Sequence, residues 1–322
     1  MNLIGEYQNI LEKKINELQF PSEPGNLYDP LRYFLTLGGK RTRPVLTLLG
    51  CQLFGEPGIK AINAAIAVEL FHNFTLIHDD IMDEAPLRRG KVTVHEKWNS
   101  NIGILSGDVL FVEAYKFLAH HDTDVLPDLL EIFSRTAREV CEGQQMDMDF
   151  EVRGDVSLEE YLEMIRLKTS VLLGAALEMG AVIAKADKEN VAKIYQFGVN
   201  VGLAFQLQDD ILDLYADPDK FGKQVGGDIL SNKKTFLLIT AMNQADSAQK
   251  KHLEHIMNST AGNTKVEEAK ELFNELKVRE FAREKMDAYY QKALSAMNEI
   301  GVPKENKLHL LGLADYLMKR EN

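Results

Sequence analysis

Asp79, Asp80 and Asp83 form a DDxxD cluster, and Asp209, Asp210 and Asp213 repeat it at the same spacing. Each cluster follows an apolar run without proline. Ala61, Ala64, Ala65, Val68, Phe71, Leu76 and Ile77 precede the first; Val199, Val201, Leu203, Ala204, Phe205 and Leu207 precede the second. This periodicity predicts two helices. On an ideal helix, residues four apart lie about 40° from eclipsed, so the outer aspartates of each cluster share a face. Like charges at that spacing destabilise a bare helix by roughly a few tenths of a kcal/mol. One such cluster is compatible with a solvated acidic helix end. Two suggest carboxylates directed at a common site where cations offset their repulsion. Hard oxygen ligands select magnesium or manganese. Magnesium takes few carboxylates and completes its shell with water and substrate phosphate, so a phosphorylated substrate is expected.

Cations lie where such a substrate needs them. Gly38-Gly39-Lys40-Arg41-Thr42-Arg43-Pro44 joins two flexible residues to three positive charges and a proline that can open a helix. Positive side chains at a helix start oppose the macrodipole, which favours an anion there. Arg88, Arg89 and Gly90 follow the first cluster. His72 lies seven residues before Asp79, about 20° off the same line; it is either a satisfied core histidine or a donor to phosphate. Gly143, Gln144, Gln145 and Asp147 interrupt an apparent helix from Val125 to Phe150 and read as a buried hydrogen-bonding group. Lys168-Thr169 interrupts an apolar segment, so the lysine either snorkels or reaches an anion. Lys220, Lys223, Lys233 and Lys234 follow the second cluster, with Lys223 in the glycine-bearing stretch FGKQVGGDI.

The elements that position these residues are helical throughout. The 9 prolines fall where helices should start or stop, and no convincing alternating strand occurs. About ten to thirteen helices are expected, in one domain spanning 1–322, an all-α bundle of long helices around a central cavity. Composition turns linker-like only weakly, near Asn258 to Thr264. With 45% hydrophobic and 27% charged residues, the chain has ordinary globular composition. The net charge of -12 argues against nucleic-acid binding. Cys51 and Cys141 form neither a metal-spaced pair nor a disulfide framework, which suits a reducing compartment. The start MNLIGEYQNILEKK lacks the basic and apolar regions of a signal peptide, and Glu69 and Glu178 break the best candidates for a membrane span. A cytoplasmic protein without a membrane span is expected.

Five motifs in order, GGKRTRP, DDIMD with LRRG, LKT, FQLQDDILD and FGKQVGGDI, make the chain resemble the trans-isoprenyl diphosphate synthases, or polyprenyl synthetases. The resemblance runs from about Leu31 to Lys234, and the ending LADYLMKR shares it. It implies an all-helical homodimer with a deep central cavity between long antiparallel helices, and the condensation of an allylic diphosphate (dimethylallyl, geranyl or farnesyl) head to tail with isopentenyl diphosphate. It implies three magnesium ions on the allylic diphosphate, with Asp79 and Asp83 on one side, Asp209 on the other with Asp213 assisting at one remove, and Asp80 and Asp210 completing the metal-binding clusters. The departing pyrophosphate would leave an allylic carbocation for the isopentenyl double bond. Arg88, Lys168 and Lys223 would hold the allylic diphosphate, with Thr169 and Gln206 beside the reacting carbon; Lys233 would also bind substrate. Lys40, Arg43, His72 and Arg89 would hold isopentenyl diphosphate; Arg41 is not assigned.

In such enzymes the product grows alongside the first cluster's helix until a side chain blocks it. Phe74, five residues before Asp79, is the expected floor, with Phe71 beneath and the small Thr75 beside it. That pattern points to geranylgeranyl diphosphate first and farnesyl diphosphate second. A class I terpene cyclase shares the fold and DDxxD, but normally has a different second motif and no set for a second diphosphate. A non-catalytic synthase subunit typically lacks one cluster, and both are intact here.

Overall fold

The computed structural model describes residues 2–216 and 225–319. Sixteen α-helices occur among them: α1 (Asn2–Asn16), α2 (Gly25–Leu35), α3 (Thr42–Leu53), α4 (Ile62–Met82), α5 (Val94–Lys97), α6 (Ser100–Leu118), α7 (Leu126–Val152), α8 (Leu158–Ile165), α9 (Val171–Ile183), α10 (Lys188–Tyr215), α11 (Gly227–Leu230), α12 (Phe236–Gln244), α13 (Ser247–Met257), α14 (Asn263–Glu275), α15 (Val278–Glu299) and α16 (Lys304–Lys319). The all-α expectation holds. The loop between α13 and α14 falls where the linker-like composition stands.

The sixteen α-helices exceed the roughly ten to thirteen expected, and two further departures from the sequence reading occur. Leu87–Arg88 and Lys91–Val92 pair as a two-stranded antiparallel hairpin, with Leu87 opposite Val92. Its turn residues Arg89 and Gly90 both have positive φ, 54° and 73°. That is the type I′ geometry matching strand twist. Pro30 lies inside α2 rather than at its edge. It is buried beside Leu31, Phe34 and Leu35, and this packing offsets the backbone bond the ring removes.

Contacts gather the chain into two units. The first holds residues up to Ala137 with Ala175–Ile194 and Gly301–Leu310; the second holds Arg138–Gly174, Tyr195–Ile300 and the residues from Leu311. In the first unit, α4 packs chiefly against α6 and α3. Ala64, Ala65 and Ala67 are fully buried and let neighbouring helices approach, while Phe71 buries its whole ring. Burial of a phenylalanine contributes roughly 1.5–3 kcal/mol. The start of α4 is capped from a distance: His121 Nε2 accepts the amide of Ala64 at 3.0 Å.

In the second unit, α12 packs on α15 and α8, and α14 packs on α11, α13 and α15. Its core includes Leu207, Phe236, Leu253, Ile256 and Phe273. Ser157 and Glu160 form a capping box that opens α8. Among the described residues, no helix is long and apolar enough to cross a membrane.

Candidate active site

The first unit carries the first aspartate cluster at the C-terminal end of α4. The helix stops in a Schellman motif: the amide of Ala85 bonds to the carbonyl of Asp80 at 2.9 Å, and that of Glu84 to Ile81 at 3.3 Å. Glu84 takes the left-handed conformation, φ 49°. Asp79 is half-buried, Asp83 exposed and Asp80 buried. The hairpin turns Arg88 back onto this end. Its Nε donates to Asp80 Oδ1 at 2.8 Å, and its Nη2 lies 3.6 Å from Asp79 Oδ2. Burial raises the Asp80 pKa against the opposing pull of Arg88.

Beside this end lies a basic group. Gly38 and Gly39 have φ of 72° and 150°, and a Cβ at Gly39 would stand 3.0 Å from the Arg89 guanidinium. The flexibility read from the sequence therefore lets Arg89 cross the chain there. Arg41 is built into the structure. Its Nη1 donates to Glu69 at 2.6 Å, its Nε to Glu12 at 2.9 Å and its Nη2 to the Leu35 carbonyl at 3.2 Å. Arg43 instead donates through Nη1 to His72 Nε2 at 3.1 Å. Burial, then the charges of Arg43 and Arg89, drive the His72 pKa well below its ordinary value. Neutral His72 is thus an acceptor toward Arg43. Burial also lowers Arg43 to about 10, and its Nε is buried without a hydrogen-bond partner. Lys40 is exposed, its carbonyl held by Gln8 Nε2 at 2.8 Å.

The product-length candidates lie on the same helix. Phe74 stacks on Phe111 of α6, with ring centroids 5.0 Å apart at 11°. Phe71 meets Phe74 at 5.6 Å, Phe111 at 5.5 Å and Phe133 at 5.4 Å. Thr75 is half-buried, and its hydroxyl donates to the His72 carbonyl at 2.8 Å.

The second unit carries the second cluster near the C-terminal end of α10. Asp210 is buried, and its Oδ2 accepts both the Tyr161 hydroxyl at 2.6 Å and the Phe236 amide at 3.0 Å. Burial, reinforced by the charge of Asp228, pushes Asp210 up to about 7. Asp213 Oδ2 accepts the amide of Asp228 at 3.1 Å. Asp209 and Gln206 are half-buried on the same helix.

Lys168 and Thr169 lie in a π-helical turn, Arg166–Ser170, between α8 and α9. Such turns insert one residue into a helix and are frequent at functional sites. Two glycines admit it. A Cβ at Gly143 would fall 2.2 Å from the Lys168 amide nitrogen, and one at Gly202 would fall 2.7 Å from the Ser170 Cα. Lys168 Nζ donates to Asp147 at 2.6 Å, and Lys233 Nζ lies 3.7 Å from the same oxygen. Burial alone would raise the Asp147 pKa, but these two lysines outweigh it and lower the pKa. Lys220 and Lys223 lie outside the described residues.

Both clusters stand at helix C-termini, where the macrodipole already favours a cation. Their donors are all oxygen, which fits magnesium. Among the described residues no three acidic, histidine or cysteine side chains are gathered into a ready metal cage. Magnesium would complete its shell there with water and phosphate oxygens.

The sequence model for polyprenyl synthetase matches residues 24–276. The chain belongs to the polyprenyl synthetase family. It is 40% identical over 325 residues to a geranylgeranyl pyrophosphate synthase of Geoglobus acetivorans, covering 99% of each chain. The crystal structure of geranylgeranyl pyrophosphate synthetase from Pyrococcus horikoshii Ot3 superposes with a TM-score of 0.93 at 36% identity, over 99% of this chain and 98% of that one. A polyprenyl synthase of Caulobacter crescentus CB15, complexed with calcium and isoprenyl diphosphate, superposes at 0.84 with 29% identity, over 99% and 95%. As a polyprenyl synthetase, the protein is a trans-prenyltransferase of the all-helical isoprenoid synthase fold.

Sequence reasoning about this polyprenyl synthetase missed three residues. Glu69, seen only as a break in an apolar run, is the anchor of Arg41. Asp147, read as a buried polar group, joins two lysines distant in sequence. Tyr161 carried no signal, because an aromatic within an apolar stretch gives no sign of its hydroxyl's partner.

Proposed function

We propose that this enzyme condenses allylic diphosphates head to tail with isopentenyl diphosphate and releases geranylgeranyl diphosphate as its main product. One observation carries the reading. Arg43 faces a neutral histidine and another guanidinium, the nearby Glu69 carboxylate is already bonded to Arg41, and the Arg43 Nε is buried and unbonded. A buried cation in such company calls for an anion. The isopentenyl diphosphate would supply it, gripped by Lys40, Arg43, His72 and Arg89.

The allylic diphosphate falls to Lys168 and Lys233, which Asp147 holds side by side, together with Lys223 and Arg88. Thr169 and Gln206 flank the reacting carbon. Asp79 and Asp83 would hold metal from the first cluster, and Asp209 from the second, with Asp213 assisting at one remove. Asp80 and Asp210 complete the clusters from behind, tied to Arg88 and Tyr161. Magnesium, expected as three ions with allylic diphosphate bound, would supply positive charge that stabilises the departing pyrophosphate; manganese would be a substitute.

The likeness to geranylgeranyl pyrophosphate synthases supports a twenty-carbon product, and so does the aromatic cluster at Phe71 and Phe74. The whole chain works as one catalytic domain. Exposed Ile104, Leu105 and Val112 on α6 support a homodimer built on that helix. The free thiols Cys51 and Cys141 suit the cytoplasm. Purified protein with magnesium, dimethylallyl diphosphate and isopentenyl diphosphate should yield a twenty-carbon diphosphate on chromatography. A fifteen-carbon product would name the enzyme a farnesyl diphosphate synthase; a cyclised hydrocarbon, or no turnover, would overturn the reading.

A further inference from the structure

Lys265 is a buried lysine that the reaction outlined above does not use. Only 3% of its surface is exposed. It occupies the first turn of α14, the positive end of that helix, so both burial and the macrodipole disfavour its charge. Burial lowers its pKa. Its Nζ donates to a neutral acceptor, Asn232 Oδ1, at 2.7 Å. A methionine of similar shape would avoid these costs, so stability does not account for the lysine.

Its partner explains it. Asn232 has φ 56°, a left-handed conformation that asparagine tolerates better than most residues. It directly precedes Lys233. The short segment around it is tied to the second cluster at several points. The Gly226 amide bonds to the Asp213 carbonyl at 2.6 Å, the Asp228 amide to the Asp213 carboxylate at 3.1 Å, and the Phe236 amide to Asp210 at 3.0 Å. The Lys233 amide bonds back to the Asp228 carbonyl at 2.9 Å. A Cβ at Gly226 would stand 2.4 Å from Val266, the residue after Lys265. The start of α14 is therefore the seat on which this segment rests.

We propose that Lys265 is a positioning residue for the allylic diphosphate site: it clamps Asn232 so that Lys233 is presented beside Asp147 and Lys168. The proposal rests on the assignment of Lys233 to that diphosphate. Lys265→Met should raise the KM for the allylic substrate at least five-fold, while kcat and the KM for isopentenyl diphosphate stay within two-fold. Thermal stability should hold or rise. Amide hydrogen exchange at residues 228–235 of the free enzyme should quicken at least ten-fold. Asn232→Gly, which keeps the backbone conformation and removes the acceptor, should reproduce the KM change and add nothing in the double variant. Lys265→Arg should recover most of the affinity. Unchanged exchange in Lys265→Met would overturn the clamp. So would a fall in stability with both KM values moving together, which marks a merely structural lysine. Lys233→Ala separates the two levels. A normal allylic KM there, with exchange altered in Lys265→Met, would overturn the diphosphate role of Lys233 and with it the functional half of the proposal.

Discussion

Arg88 Nε donates to Asp80 Oδ1 at 2.8 Å, so the middle carboxylate of the first cluster is bound by protein. Its neighbours in the cluster differ: Asp79 is half-buried and Asp83 exposed. The three aspartates are alike in sequence and unlike in setting. Asp80→Ala should destabilise the fold by roughly 2–3 kcal/mol, because it strips a carboxylate from a partly buried guanidinium. Asp79→Ala and Asp209→Ala should leave the unfolding midpoint nearly unchanged and cut kcat by about three orders of magnitude. Denaturant titration and magnesium-dependent turnover, measured on the same preparations, separate the two effects. Near-normal turnover of either outer-aspartate variant would sink the two-cluster metal model.

The two adjacent arginines face different surroundings. Arg88 lies on the aspartates, whereas Arg89 lies across Gly39 near Arg43 and His72. Arg89→Ala should therefore chiefly raise the KM for isopentenyl diphosphate, and Arg88→Ala that for the allylic substrate. Titrating each substrate against each variant tests this, and equal effects on both substrates would contradict it.

Phe74 is stacked flat on Phe111, and Phe71 supports both rings. Phe74→Ala should lengthen the product by at least one five-carbon unit. Phe71→Ala in that background should lengthen it further, because Phe111 then loses its second aromatic partner on α4. Each truncation should also cost about 3–5 kcal/mol of stability. Chromatographic sizing decides the first point; an unchanged product in the double variant would place the floor on another helix.

His121 caps α4 only while its Nε2 is unprotonated. Burial lowers its pKa from the ordinary value, so the folded chain disfavours the proton that the unfolded chain accepts. The sign follows from linkage: this contribution is intact above about pH 6.5 and is lost as the pH falls toward the lowered value. His72, also lowered, adds a slope of the same sign. Melting temperatures between pH 8 and pH 5, on the order of one reading per half unit, should fall more steeply in the wild type than in His121→Asn. Parallel curves would show that the cap carries no pH dependence.

The sequence exposed the two aspartate clusters because type and spacing alone place carboxylates on a helix face. It exposed the all-helical fold because long apolar runs at helical period dominate it. It did not expose the hairpin at Leu87–Val92, since strands of two residues have no period to read. In GGKRTRP the three cations look equivalent, yet Arg41 is consumed by Glu69 and Glu12 while Arg43 is left to His72. The difference lies in partners 28 and 29 residues away, which no local pattern encodes. Pro30 misled for a related reason: burial of its ring decided its place, and burial is a tertiary fact.

The π-helical turn at Arg166–Ser170 constrains how this chain can vary between generations. An ordinary helix advances about 100° per residue, so deleting one residue there would swing Lys168 and Thr169 off their face together. Adding a methyl group at Gly143 or Gly202 would instead push the turn out of its slot. The extra residue and the two glycines, 59 positions apart at their furthest as 202 minus 143, must then be inherited as a set. Insertions and deletions should be purged from this turn while the surface loops drift freely, and a lineage that lost one member of the set would lose its grip on both neighbouring side chains at once.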